Sequence, residues 1–309
     1  MIRDANCWEG KDIFYIIDYD SISSASSSSC KCEAVVRLNY PVHTYTPILW
    51  NPSTREYNEI IPPPDNLEWP SYGFGYDNKI DDYKLVCIAS IEDGADEVNA
   101  AYAYTLKSGS WRKVVETIPC ADFENPAGLL LNGVLHWQLA TVTGKISKSI
   151  VAFDISNEKF TNLPFPQEII LRPAHSSCHL GVLGASLCII CGVPNVQVDV
   201  WVMQNYGVKE SWTKLFTTTQ EKSIAYPKSL KLYWYFITGD ILIQAAGRFG
   251  LYDQKNDRIR FLNINGLDHA PTYLSGETYV ESLVSLNSGT YTRKRRQLKT
   301  KYISNKRRR

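Results

Sequence analysis

Cys188-Ile-Ile-Cys191, with Cys178 and His179 nearby, has the spacing from which a metal or redox site is built. It lies, however, in the apolar run that begins at Leu180, and that run reads as a buried strand. Residues three apart in a strand point to opposite faces, so the two thiols diverge, and no regularly spaced second pair completes a zinc site. The eight cysteines are Cys7, Cys30, Cys32, Cys87, Cys120, Cys178, Cys188 and Cys191. They are scattered along a chain too long to need disulfide staples and read as small core residues of a protein from a reducing compartment.

Other polar groups resolve the same way. Asp77, Asp81 and Asp82 lack the glycine and the terminal bidentate glutamate of a calcium loop, and read as a polar hairpin tip. Gly73-Phe-Gly75 is not followed by the third glycine and helix of a dinucleotide site, and reads as backbone crowding in an inner strand. Asn51-Pro52-Ser-Thr54 has the residue types of a tight turn. His136-Trp137 ends an apolar strand with no readable partner for proton transfer. A glycosidase needs two carboxylates flanking one site, whereas the acids here fall in turn strings such as Glu92–Glu97. No catalytic residue, cofactor or metal ligand is assigned, and a propeller-fold hydrolase or oxidase is the minor alternative.

The elements behind these groups are strands. The chain has 309 residues, 44% hydrophobic and 12% aromatic, with 19 Tyr and 8 Trp, a bias that favours half-buried pleated surfaces. One pattern recurs: an apolar strand with an aromatic near its end, a polar turn, and a second strand. It spans residues 48–61, 101–114, 150–163, 198–215 and 249–261, with register aromatics Trp50, Tyr104, Phe153, Trp201 and Tyr252. These are 54, 49, 48 and 51 residues apart. Second aromatics follow at Trp111, Phe160 and Trp212. Another pair of strand-like runs precedes each later hairpin, one of them turning at Asn132-Gly133, a strong hairpin signal.

About four strands in about fifty residues is the arithmetic of a blade in an all-β, kelch-like β-propeller. Blades bury both faces against their neighbours, which explains strands that read as continuous apolar runs. Five repeats are clear. Residues 13–19 and 33–38, interrupted by the serine tract Ser21–Ser29, form a degenerate sixth, and Tyr279–Leu286 is the expected closing strand. The expected organisation is an N-terminal segment 1–12, a propeller 13–287 and a basic tail 288–309.

The net charge of +1 is unevenly placed. Residues 293–309 hold ten of the 33 basic residues and no acid, leaving 23 against 32 acids, or about −9, on the rest. Such a body argues against nucleic-acid binding by the folded domain. The clusters Arg293-Lys294-Arg295-Arg296 and Lys306-Arg307-Arg308-Arg309 suit a bipartite nuclear import signal. The longest uncharged stretch, Pro173–Val198, is broken by histidine, glycine, proline and serine and is not a membrane span. No secretory signal is visible, so the expected location is intracellular, nuclear or cytoplasmic.

Leu49-Trp-Asn-Pro-Ser-Thr-Arg-Glu-Tyr57 with Ile60-Ile-Pro-Pro-Pro64 closely resembles the signature of plant F-box-associated domains. Tyr72–Val86, Gly133-Val-Leu-His-Trp137, Ile150–Pro164, Leu180–Cys188 and Tyr279–Leu286 match in the same order, so the resemblance covers roughly residues 12–287. It implies the substrate-recognition part of a Skp1–cullin–F-box ubiquitin ligase, which recruits a client protein and has no catalytic site of its own. Two departures stand out. Met1–Asp12 is too short for an F-box, and Tyr40–Pro47 runs straight into Ile48 where the family has one more strand. Binding of a Skp1-type adaptor and cullin is therefore expected only with an F-box upstream. The alternative is a stand-alone or decoy interaction protein. The client is expected at one rim of the propeller, where the loops Asp65–Pro70, Glu92–Glu97, Asp122–Asn125 and Gln167–His175 carry Trp69, Glu92, Asp93, Asp96, Glu97 and Phe123.

Overall fold

The computed structural model describes most residues from Pro47 to Leu262 apart from short connections, with only the backbone at several strand ends. It also describes the backbone of residues 2–6, 11–16, 29–30, 33–39, 263–264 and 274–276, together with Leu283 and Leu286. The described residues are built almost entirely from antiparallel sheets.

Blade 1 takes strands from both ends of the chain. β1 (Ile2–Asn6), β2 (Lys11–Ile16) and β4 (Glu33–Asn39) pair in order, and β25 (Leu274–Gly276) adds to the free side of β1. The short β3 (Ser29–Cys30) pairs in parallel with β24 (Asn263–Ile264). Blade 2 is the hairpin of β5 (Ile48–Asn51) and β6 (Glu56–Glu59). Blade 3 comprises β7 (Glu68–Asp77), β8 (Asp82–Asp93), β9 (Asp96–Thr105) and β10 (Ser110–Lys113). Blade 4 has β12 (Leu129–Leu131), β13 (Val134–Thr143), β14 (Lys145–Asp154) and β15 (Lys159–Leu163), with the short β11 (Asp122–Phe123) also paired to β13. Blade 5 has β16 (Ser177–Leu183), β17 (Ser186–Val193), β18 (Gln197–Met203) and β19 (Trp212–Thr218). Blade 6 has β20 (Lys231–Tyr235), β21 (Asp240–Ala245), β22 (Arg248–Asp253) and β23 (Arg258–Phe261). Among the described residues the helices are a single turn, Gln167–Ile170, and a 3-10 turn, Lys209–Ser211.

The sequence repeat has a structural meaning. Trp50 lies directly across from Tyr57, Tyr104 from Trp111, Phe153 from Phe160 and Tyr252 from Ile259, each in an outer hairpin. Blade 5 has the longer turn and a register shift between Val200 and Trp201. The register aromatics fill the gap to the preceding blade: Phe153 packs with Val86, Ala103 and Trp137, Trp201 with Ile150 and Ala152, and Tyr252 with Val200 and Val202. Blade stacking buries both faces, so Leu187, Cys188, Ile189, Ile190 and Cys191 are all buried in succession.

Closely packed inner strands explain two glycines. A Cβ on Gly73 would lie 2.8 Å from both Leu135 and Trp137, and one on Gly75 would lie 2.4 Å from Ile155. Asn132 and Gly133 both have positive φ, 51° and 81°, as a two-residue hairpin turn of this hand requires.

Three features go beyond the expectations. Leu274–Gly276 pairs with β1, and the expected closing strand Tyr279–Leu286 lies outside the described residues except Leu283 and Leu286. Three residues with only Leu274 strongly apolar carry little signal, so a paired edge was not readable there. β1 belongs to a blade although it lies within residues 1–12. Finally, the cysteines are not all unpaired: Cys178 and Cys191, opposed across β16 and β17, form a disulfide. Cross-strand register is set by the turn and cannot be read from the spacing of the two residues. Cys188 and Cys191 do occupy opposite faces, in separate core clusters.

Candidate functional site

In an up-and-down blade the first and third turns share one end of the sheet. The second turn and the connection to the next blade share the other. At the first end, the polar groups are consumed by the fold. Lys84, buried in β8, donates to Asp77 Oδ2 at 2.7 Å, to the Ile155 carbonyl at 2.7 Å and to Glu158 Oε1 at 2.5 Å. Ser156 Oγ donates to Asp77 at 2.9 Å, and Arg112 reaches Glu158 as well. The network fastens the β7–β8 turn of blade 3 to the outer turn of blade 4. Burial pushes the Asp77 pKa up, but the hydrogen bonds from Lys84, the Lys79 N–H and Ser156 outweigh it and hold it below the usual carboxylate range. Glu158 is also lowered, the bonds from Arg112 and Lys84 overcoming its burial. Of the three aspartates, Asp82 accepts from the Tyr83 and Lys107 amides at 2.8 and 2.9 Å, and Asp81 accepts from the Tyr76 hydroxyl. They stabilise a turn. Among the described residues no group of three or more His, Cys, Asp or Glu is placed to hold a metal ion.

The remaining chemical candidates are also engaged. His136 is fully buried, with Nδ1 3.2 Å from the Leu129 carbonyl and Nε2 2.7 Å from the Tyr206 hydroxyl of the next blade. The pairing suits a neutral ring, donating at Nδ1 and accepting at Nε2, and burial lowers its pKa to about 4 despite backbone hydrogen bonds acting the other way. Asn51 Oδ1 accepts from the Ser53 amide at 3.0 Å and the Thr54 amide at 3.4 Å, closing the outer turn of blade 2. Asp154 and Asp253 cap the matching turns of blades 4 and 6. Pro52 itself lies outside the described residues. Trp111 and Trp212 donate their indole N–H groups to the carbonyls of Ile61 and Pro164, at 2.6 and 2.9 Å. Each acceptor follows the last strand of the preceding blade, so both tryptophans fasten blades together. Burial pushes the free Cys87 and Cys188 thiols up to about 12, which keeps them protonated and unreactive.

The residues nominated for partner binding on blade 3 fall toward the second end. Trp69 lies near the start of β7, Glu92 and Asp93 end β8, Asp96 and Glu97 begin β9, and Phe123 ends β11. The register sets Glu92 opposite Glu97 and Asp93 opposite Asp96. Phe123 is paired with Leu139, near the middle of β13, within the sheet of blade 4. The topology thus puts the β8–β9 turn and the start of β7 toward one end of blade 3, and β11 alongside the middle of β13 in blade 4, with only the backbone of the nominated residues described. The clusters Arg293–Arg296 and Lys306–Arg309 lie outside the described residues. Sequence reasoning missed Lys84 and Asp199, the latter buried and held by Thr217 at 2.5 Å and Lys214 at 3.1 Å. The available signal was a lone charge inside an apolar strand, as in Tyr83-Lys84-Leu85-Val86 and Val198-Asp199-Val200-Trp201.

Stacked four-stranded blades with a strand exchanged between the two ends of the chain define a β-propeller. The F-box associated beta propeller domain family matches residues 9–281 of this chain. The chain belongs to that family. It is 29% identical to F-box protein CPR1 of Arabidopsis thaliana over 264 residues, which is 76% of this chain and 63% of that protein. It is 25% identical to the Arabidopsis F-box/kelch-repeat protein At3g23880 over 246 residues, 77% of this chain and 64% of that protein. F-box protein At4g22390, also from Arabidopsis, is 29% identical over 204 residues, 57% of this chain and 49% of that protein. The chain therefore spans about half to two thirds of the length of these relatives.

Proposed function

We propose that this propeller is the client-recognition module of a Skp1–cullin–F-box ubiquitin ligase, without a catalytic site of its own. The observation that carries the reading is the family match over residues 9–281, because relatives sharing this domain are F-box proteins. Lys84, Asp77, Glu158 and His136 are engaged within or between blades, which supports a structural role for them. The rim formed by the second turns and inter-blade connections, with Trp69, Glu92–Glu97 and Phe123, holds the client, and the clusters at 293–296 and 306–309 direct nuclear import.

Co-precipitation from plant cells tests the ligase assignment. A Skp1-type adaptor and a cullin are expected with the full-length natural protein. Client capture without either one would instead mark a stand-alone or decoy interaction protein.

A further inference from the structure

The outermost strand of blade 6, β23, pairs only with β22 among the described residues. Its four residues, Arg258-Ile-Arg-Phe261, alternate between two faces. Ile259 and Phe261 pack against the core between blades 5 and 6, which leaves Arg258 and Arg260 exposed on the opposite face. The Leu262 N–H donates to the Phe249 carbonyl at 2.8 Å, so Leu251–Arg260 and Asp253–Arg258 are the hydrogen-bonded pairs of this ladder. The N–H and C=O groups of Ile259 and Phe261 therefore point away from β22, along an open edge. We propose that this edge receives an extended acidic segment of a partner protein, added to blade 6 as a fifth strand.

Charge selects the occupant. Among the described residues neither the Arg258 nor the Arg260 guanidinium has an ion-pair or hydrogen-bond partner. Asp253 lies opposite Arg258, but its oxygens accept from the Lys255 and Asn256 amides and from the Asn256 side chain. Arg260 lies opposite Leu251. On other outer strands, by contrast, Arg112 of β10 pairs with Glu158 and Lys214 of β19 with Asp199. Residues 231–261 hold five basic and three acidic residues, a local positive excess on an otherwise acidic body. A third guanidinium at this edge, Arg248, stacks 4.3 Å from the centre of the Phe261 ring. Arg258 and Arg260 share one face, so a strand with carboxylates at alternate positions opposes both, while backbone bonds to Ile259 and Phe261 hold it in register. This edge lies on the perimeter of the propeller, so its occupancy does not depend on the client rim.

The test uses the full chain and a fluorescein-labelled octapeptide of alternating Glu and Val. Anisotropy should show saturable binding that weakens about tenfold for Arg258→Ala/Arg260→Ala, as for the loss of two exposed ion pairs, with Tm unchanged. Bound peptide should slow amide hydrogen exchange at Ile259 and Phe261. Two control peptides should bind far more weakly: one of alternating Lys and Val, and the acidic peptide N-methylated at its valines, whose amides would otherwise bond to Ile259 and Phe261. Absence of saturable binding overturns the strand addition. Binding that survives both the arginine replacements and N-methylation, as attachment to the basic residues at 293–309 would, overturns it as well. A dimer of the chain alone that the same replacements dissociate would assign the edge to a second copy and equally overturn it.

Discussion

Replacing Lys84 by methionine is expected to destabilise the protein by about 3–5 kcal/mol. The side chains of Lys84 and Asp77 are each 2% exposed, so the substitution leaves a buried carboxylate without its cation and removes the donor to the Ile155 carbonyl. The loss falls on the contact between blades 3 and 4 because Glu158 and Ile155 belong to the neighbouring blade. Lys79, which donates to Asn157 at an exposed position, is the control; its replacement should cost less than about 1 kcal/mol. The pH dependence has a definite sign. Asp77 and Glu158 have folded-state pKa values below their ordinary ones, so their contribution is present above the ordinary carboxylate range and is lost as pH falls through the lowered values. Lys84→Met should flatten this acid limb. Denaturant titrations at neutral and acidic pH measure both effects, and equal losses for Lys84→Met and Lys79→Met would contradict the network.

A chain ending at residue 273 is expected to lose cooperative folding or to aggregate. It lacks β25, whose residues Leu274, Ser275 and Gly276 lie opposite Asp4, Arg3 and Ile2, and it leaves β1 as an open edge. Ending at residue 292 instead removes both basic clusters and keeps β25. That protein should melt like the full chain and fail to accumulate in the nucleus. A protein ending at residue 278 separates the described closure from the strand expected at Tyr279–Leu286. Leu286 also has a defined contact, its N–H donating to Glu56 Oε2 at 2.7 Å beside the blade 2 hairpin. Melting of the 273-residue chain at the full-length temperature would exclude closure through β25.

Local features were the legible ones. Aromatics about fifty residues apart mark equivalent positions because each must fill the same gap between blades, as Phe153, Trp201 and Tyr252 do. Asn132-Gly133 and Asn51 were readable because turn chemistry is set by a few adjacent residues. What depends on which strand meets which was not legible: the Cys178–Cys191 pairing, the β25–β1 closure and the bond from Trp111 to the Ile61 carbonyl. Lys84 joins groups more than seventy residues apart in the chain, so its partners could not be named, although its isolation in an apolar strand showed that it needed some. The β8–β9 turn and the start of β7 share one end of their sheet, a placement set by strand order and not by any local residue pattern.

Client recognition at this rim is tested most directly by quantitative affinity capture from plant cells with the proteasome inhibited. Three forms of the full chain are compared: the unaltered protein, Trp69→Ala, and a charge reversal of Glu92, Asp93, Asp96 and Glu97 to lysine, each with its Tm measured. At least one captured protein should be enriched by the unaltered chain and reduced about tenfold or more by each rim variant, as for the loss of an interface hot spot, with Tm unchanged. Equal capture by all three forms, with the fold intact, would contradict recognition at this rim.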